Sequence, residues 1–143
     1  MGEPDEVLQH HQTLTLAMDR LQVLAVSCEE VLPTSRAAAL MAHDLSEFGR
    51  RLLEHFTHEE DGGYMVAVVR EHPHMENRIG NLQSDHRRLA GMLEAVIQQW
   101  NDEARRAQIK STLDDFFAEL RDHEQRENRL LQEAFCLDQG IGD

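Results

Sequence analysis

Six residues of this chain stand out because their polarity breaks otherwise apolar stripes: His11, His55, Glu59, His86, His123 and Glu127. Each stripe repeats at steps of three and four, the period of a helix packed along one face. Twice a His and a Glu lie four apart, His55 with Glu59 and His123 with Glu127, which turns both side chains to the same side of a helix. A carboxylate in an apolar seam is costly to bury, and two close together repel and partly neutralise by protonation. Bound cations remove that penalty. Four neutral imidazoles with two carboxylates suit intermediate divalent metals, iron first, with manganese, zinc or cobalt as rivals, and suit magnesium or calcium poorly. If Glu59 and Glu127 both bridge, each of two ions receives two imidazole nitrogens and two carboxylate oxygens. A bridging water or hydroxide adds a fifth donor, and an octahedral ion keeps a position for oxygen, peroxide, nitric oxide or another small ligand. The plainer alternative is a polar end layer of His–Glu hydrogen bonds.

Four helices must bring these residues together. The first, about residues 5–31, carries Val7, His11, Leu14, Met18, Leu21, Ala25 and Cys28 and ends near Pro33. The second, about 35–61, carries Met41, Leu45, Phe48, Leu52, His55 and Glu59 and stops at Gly62-Gly63, where missing side chains favour a chain reversal. The third, about 75–100, carries Ile79, Leu82, His86, Leu89, Leu93, Val96 and Trp100 and ends at the turn-prone Asn101-Asp102. The fourth, about 104–136, carries Leu113, Phe116, Leu120, His123, Glu127, Leu130 and Ala134, with an alternative cap at Ser111. The apolar stretch from Tyr64 to Arg70 is expected to add a turn or two of helix across one end. Strand-like alternation is absent, so the expected fold is an all-α, up-down-up-down antiparallel four-helix bundle forming one domain over residues 1–143.

Heights along the bundle agree with this. His11 lies 22 residues before Pro33 and His55 22 after it, so the two stand level in an antiparallel hairpin. In the second hairpin His86 lies 16 residues before Asp102 and His123 21 after, a mismatch for the connection to absorb. The chain also repeats internally. His11-x-x-Leu14-x-x-x-Met18-x-x-Leu21 matches His86-x-x-Leu89-x-x-x-Leu93-x-x-Val96, and Phe48-x-x-x-Leu52-x-x-His55-x-x-x-Glu59 matches Phe116-x-x-x-Leu120-x-x-His123-x-x-x-Glu127. The repeat prefers His11 to its neighbour His10, which lacks the leucine three residues on. His43 and His58 fall on a helix flank, and His72 and His74 surround Pro73; surface or supporting roles are expected for them. Glu60 and Tyr64 are candidates to orient a ligand imidazole or touch bound oxygen.

Composition narrows the partners. With 27 acidic against 14 basic residues the net charge is −13, which repels nucleic acid and anionic membrane surfaces. Two cysteines, Cys28 and Cys136, without C-x-x-C spacing suit a reducing compartment and argue against a cysteine-bound metal; Cys28 reads as a buried core residue. The opening MGEPDEVLQHHQ lacks the basic start and apolar run of a signal peptide, and no stretch approaches a membrane span, so a cytoplasmic location is expected.

Taken together, His11, the segment HFTHEE at 55–60, Asp85-His86 with its downstream leucine, and RDHEQRE at 121–127 resemble the hemerythrin-like, or HHE cation-binding, family over nearly the whole chain. The resemblance implies a left-handed four-helix bundle holding two iron ions with an oxo or hydroxo bridge. The chain departs from the oxygen-carrying hemerythrins at Ala90, where they have a second histidine four residues after the third-helix ligand. It departs again at Asn128, where they close the fourth helix with an aspartate; here Glu127 takes the four-residue spacing. With one histidine fewer, both metals would keep an open position. That shifts the expectation from oxygen storage toward sensing or handling of oxygen, iron or redox state, closer to bacterial HHE proteins and hemerythrin-like sensing domains. An oxidase or peroxidase is the alternative, although no flavin, haem or rubredoxin-type motif supplies electrons. A ferritin-like oxidase is disfavoured because those bundles use Glu-x-x-His pairs. A metal-free interaction bundle is the third reading.

Overall fold

A computed structural model describes residues 4–30 and 35–136. The apolar stripes form α1 (Pro4–Glu30), α2 (Ser35–Glu60), the short α3 (Tyr64–Glu71), α4 (Glu76–Asn101) and α5 (Ile109–Leu131). Turns of 3-10 helix at Pro73–Met75 and Glu103–Gln108 make two of the connections, and a π-helical turn, Gln132–Cys136, extends α5. No strand occurs among the described residues. Both α1 and α4 pack against α2 and α5, which closes a four-helix bundle around one axis. The expected burial of Cys28 and the break at Pro33 lie outside the described parts of the chain. Among the described residues no helix is long and apolar enough to cross a membrane.

The core is divided into two apolar clusters. The larger runs along the bundle from Trp100, Ile109 and Ala38 to Leu14, Leu52, Phe56, Leu89 and Leu120. Its far end is tied by Trp100, whose indole N–H donates to the Ala38 carbonyl at 2.9 Å and whose ring lies under the Arg106 guanidinium. The smaller cluster joins Val7, Leu82 and Leu130 to Tyr64, Met65 and Val68 of α3 and to Met75 and Ile79. So α3 lies across the end of the bundle, as its apolar composition led us to expect, and buries four of its residues there. Each fully buried aliphatic or aromatic side chain contributes about 1.5–3 kcal/mol. The buried His and Glu residues of the seams sit where one cluster gives way to the other: Val7, His11 and Leu14 on α1, and Leu82, His86 and Leu89 on α4, show the sequence of layers directly.

The fourth helix differs from the expected span of about 104–136. Residues 103–108 form a 3-10 turn in which the Asp102 carboxylate accepts from the Ala104 amide at 3.1 Å, Gln99 donates to the Arg105 carbonyl and Arg106 to that of Trp100. The α-helix begins at Ile109, so Ser111 lies inside it and is not a cap. This turn absorbs the height mismatch of the second hairpin. His86 now lies fifteen residues before the end of α4 at Asn101 and His123 fourteen after the start of α5 at Ile109.

The reversal from α2 to α3 needs both glycines, for different reasons. Gly62 has a φ of +73°, in the left-handed region. A Cβ on Gly63 would sit 2.1 Å from the His58 carbonyl oxygen and 2.5 Å from that of Glu59. Gly62→Ala is therefore expected to cost about 1 kcal/mol, the ordinary penalty of a left-handed residue, and Gly63→Ala more, because the last turn of α2 must move. Urea denaturation of both variants checks this, and equal midpoints would contradict it.

Candidate metal centre

All six seam residues converge in one layer. His11 from α1, His55 and Glu59 from α2, His86 from α4, and His123 and Glu127 from α5 are each at least nine-tenths buried, with Glu59 1% and Glu127 0% exposed. Their donor atoms form two overlapping sets. His11, His55, Glu59 and Glu127 offer ligand atoms all within 4.8 Å of one another, and so do Glu59, His86, His123 and Glu127. Both carboxylates belong to both sets.

Within the layer the Nε2 atoms face the carboxylates. His55 Nε2 is 3.3 Å from Glu59 Oε2, His86 Nε2 3.2 Å from Glu59 Oε1, and His123 Nε2 2.7 Å from Glu127 Oε1. His11 Nε2 lies 3.7 Å from oxygens of both carboxylates. None of these approaches has hydrogen-bonding geometry: all four Nε2 atoms, both oxygens of Glu59 and Oε1 of Glu127 are buried without a hydrogen-bond partner. Buried polar atoms are ordinarily partnered, and so many orphans converging on one space fit a shared cation site.

The opposite side of three imidazoles is anchored. His11 Nδ1 pairs with Asn128 Oδ1 at 2.9 Å, His86 Nδ1 with Glu60 Oε2 at 2.5 Å, and His123 Nδ1 with Asp85 Oδ2 at 3.2 Å. With the N–H on Nδ1, each ring presents the lone pair of Nε2 to the centre, the arrangement that orients histidine ligands in metal sites. Arg126, 2.6 Å from Asp85, holds that carboxylate in place. Tyr64, which starts α3, donates its hydroxyl to Glu127 Oε2, tying the cap to the centre. Phe56 stacks flat on His86, 3.9 Å between centroids. His10 lies on the flank of α1, half-buried and edge-on to His55, while His43, His58 and His74 are exposed and His72 half-buried.

Glu60 thus makes the imidazole contact expected of it, whereas Tyr64 meets a carboxylate, Glu127, instead of an imidazole. Two other supporting residues, Asp85 and Asn128, and the buried Glu124 were not foreseen. Asp85 was visible only as the residue before His86, and Asn128 only as a departure from a family pattern. The repeat carried a signal for Asn128, because it places that residue where Glu60 stands in the first hairpin. Glu124, 7% exposed with Oε2 unpartnered, had none: it lies beside the α5 seam.

Without metal the layer must hold protons. Burial works against charging His11, but the approach of Glu59 and the charges of Glu127 and Glu124 override it and raise the imidazole to about 9. Burial lifts the Glu124 carboxyl to about 7, opposed by His11 and reinforced by Glu127. Burial and the neighbouring Glu59 charge also raise Glu127. Burial pushes Glu59 the same way, but its contacts with Glu127 and three imidazoles hold it well below the carboxylate range. The metal-free folded state therefore binds more protons than the unfolded chain at neutral pH. Its stability should fall between pH 4.5 and 7 through Glu124 and between 6.5 and 9 through His11. Glu59 acts only below its ordinary 4.5. Urea denaturation of chelator-treated protein from pH 5 to 9 checks the sign; a midpoint that rises across this range would contradict it.

Comparison with family models matches residues 4–135 to the hemerythrin HHE cation-binding domain, a span that contains all six seam residues. Comparison with curated proteins and with solved structures returned no match. The match covers nearly the whole chain and agrees with the helical bundle and its buried His and Glu layer. The chain belongs to the hemerythrin HHE cation-binding family.

Proposed function

We propose that the protein is a non-haem di-metal binding protein, with two iron ions as the resident pair, that binds or senses oxygen, iron or redox state. The observation that carries this reading is the sharing of Glu59 and Glu127 by two four-donor sets. His11 and His55 would hold one ion and His86 and His123 the other, with the two carboxylates between them. Iron held there would supply electrons to a small oxidant such as oxygen or peroxide, or a site for nitric oxide. The protein's own residues set the surroundings: Asn128, Glu60 and Asp85 orient imidazoles, Phe56 and the α3 cluster exclude water, and Tyr64 offers a hydroxyl proton beside Glu127. Burial and the charges of Glu127 and Glu59 raise Tyr64 well above its ordinary range, so that proton is retained at neutral pH. A sensor built this way transmits through α3, which Tyr64 joins to Glu127.

Elemental analysis after native purification and after aerobic iron loading tests the reading, with two ions per chain expected. Less than about one ion per two chains would leave a metal-free interaction bundle as the better account. Glu59→Ala, which removes a donor common to both sets, should lower the content of both ions, whereas His11→Ala should lower chiefly one.

Tyr64 also favours a second reading, an iron peroxidase in which peroxide takes up two electrons from an added reductant and two protons to give two waters. Tyr64→Phe should then slow peroxide consumption about 10-fold or more while iron content stays the same. Unchanged turnover would remove this support.

A further inference from the structure

The internal repeat makes a comparison possible within one molecule. Superposing its two copies by sequence pairs His11 with His86, His55 with His123, Glu59 with Glu127, and Val7 with Leu82. The supporting residues pair as well, and two of those pairs are unlike. Glu60 and Asn128 correspond and do the same work, each accepting from the Nδ1 of a ligand-position histidine. Asp85, which accepts from His123 Nδ1, corresponds to His10; His55 Nδ1 is buried and has no hydrogen-bond partner. Phe56, flat against His86, corresponds to Glu124.

These two breaks fall on the same half of the centre. The His86–His123 half has both rings anchored, an apolar plate over one of them, and the Asp85–Arg126 pair at 2.6 Å on its outer side. The His11–His55 half has one ring anchored, and two grooves reach it. One, between α1 and α2, is lined by His10, Glu54, His55 and His58. The other, between α1 and α5, is lined by His11, Thr15, Arg121 and Glu124. The His10 ring lies 5.6 Å from that of His55 and 6.0 Å from that of His58, which makes a line of imidazoles from the surface to the buried layer. Exposure follows the same order, with His55 8% and His11 5% against His86 3% and His123 0%.

We propose that the two metal positions are unequal, the His11–His55 position being the exchangeable one, which a divalent cation enters and leaves past His58 and His10, and the His86–His123 position the retained one. This rests on the two-metal reading above. His55, unanchored at Nδ1, turns between the inner layer and His10, and Glu124 meets the ion on the second groove. The outer carboxylates of the other half hold its ion by fixing the rings that bind it, a contribution worth about 10–100-fold in metal affinity where it has been removed.

The test is release of cobalt(II) from the fully loaded protein to an excess of chelator, followed by cobalt absorption. Two phases of equal amplitude are expected, the faster lost in His55→Ala and the slower lost in His123→Ala. His10→Asp, which copies the Asp85 arrangement, should slow the fast phase about 10-fold or more and leave the slow one unchanged. Asp85→Ala should speed the slow phase by a similar factor. His58→Gln should slow cobalt uptake without changing the final content. One ion or none per chain would overturn the two-metal reading and this inference with it. Two ions released in a single phase, or a fast phase that is lost in His123→Ala, would overturn the inference alone. Helical circular dichroism of each variant at parent strength separates these outcomes from misfolding; a variant that fails to fold is replaced by His10→Asn or Asp85→Asn, with the same expected directions.

Discussion

Two buried carboxylates, Glu59 and Glu127, impose the constraint that the rest of this structure answers. They face each other inside an apolar bundle, with almost no exposure and three of their four oxygens without hydrogen-bond partners. Both cannot ionise there without compensating positive charge. Protons on His11 and on the carboxylates themselves provide it in the metal-free state, and a bound cation would provide it with better geometry because four imidazole nitrogens already point inward. Metal binding at such a layer would release those protons and be coupled to folding.

Keeping that layer dry is the work of the two apolar clusters. The long core alone would leave the layer at the open end of a bundle, where water would screen the charges and compete for the ligand positions. Helix α3 prevents this by laying Tyr64, Met65 and Val68 against residues one turn beyond the seam histidines. The Gly62-Gly63 reversal follows directly on Glu59 and Glu60, so the element that seals the layer is joined to the residues that form it, and the Tyr64 hydroxyl on Glu127 closes the link from the other side.

The internal repeat explains why the site has two near-equivalent halves and where they diverge. A hairpin that contributes one histidine and one His-x-x-x-Glu pair cannot surround an ion by itself, whereas two of them packed together bring four imidazoles to two shared carboxylates. The six donor residues of the layer repeat faithfully. Those that orient and cover them do not, as Asp85 against His10 and Phe56 against Glu124 show. The two copies thus diverge in their surroundings while the donor set stays the same.

Much of this was legible in the sequence because helix periodicity is a local property. The seams, the six polar interruptions and the bundle class follow from spacings of three and four, and every seam residue with a described side chain is buried. The level placement of His11 and His55 followed from counting residues to Pro33, since the rise per residue of a helix is fixed. What the sequence left open depends on contacts between distant segments. The 3-10 turn at Glu103–Gln108, which sets the height of His123, is held by side chains of Gln99 and Arg106 closing on carbonyls across the connection. Asn128 on His11 and Asp85 on His123 are partners 117 and 38 residues apart, and no local pattern marks such a pair. The spacing of residues along a helix determined which side chains share a face; only the packing of helices decided which atoms on those faces meet, and so which imidazole is anchored and which is free of an anchor.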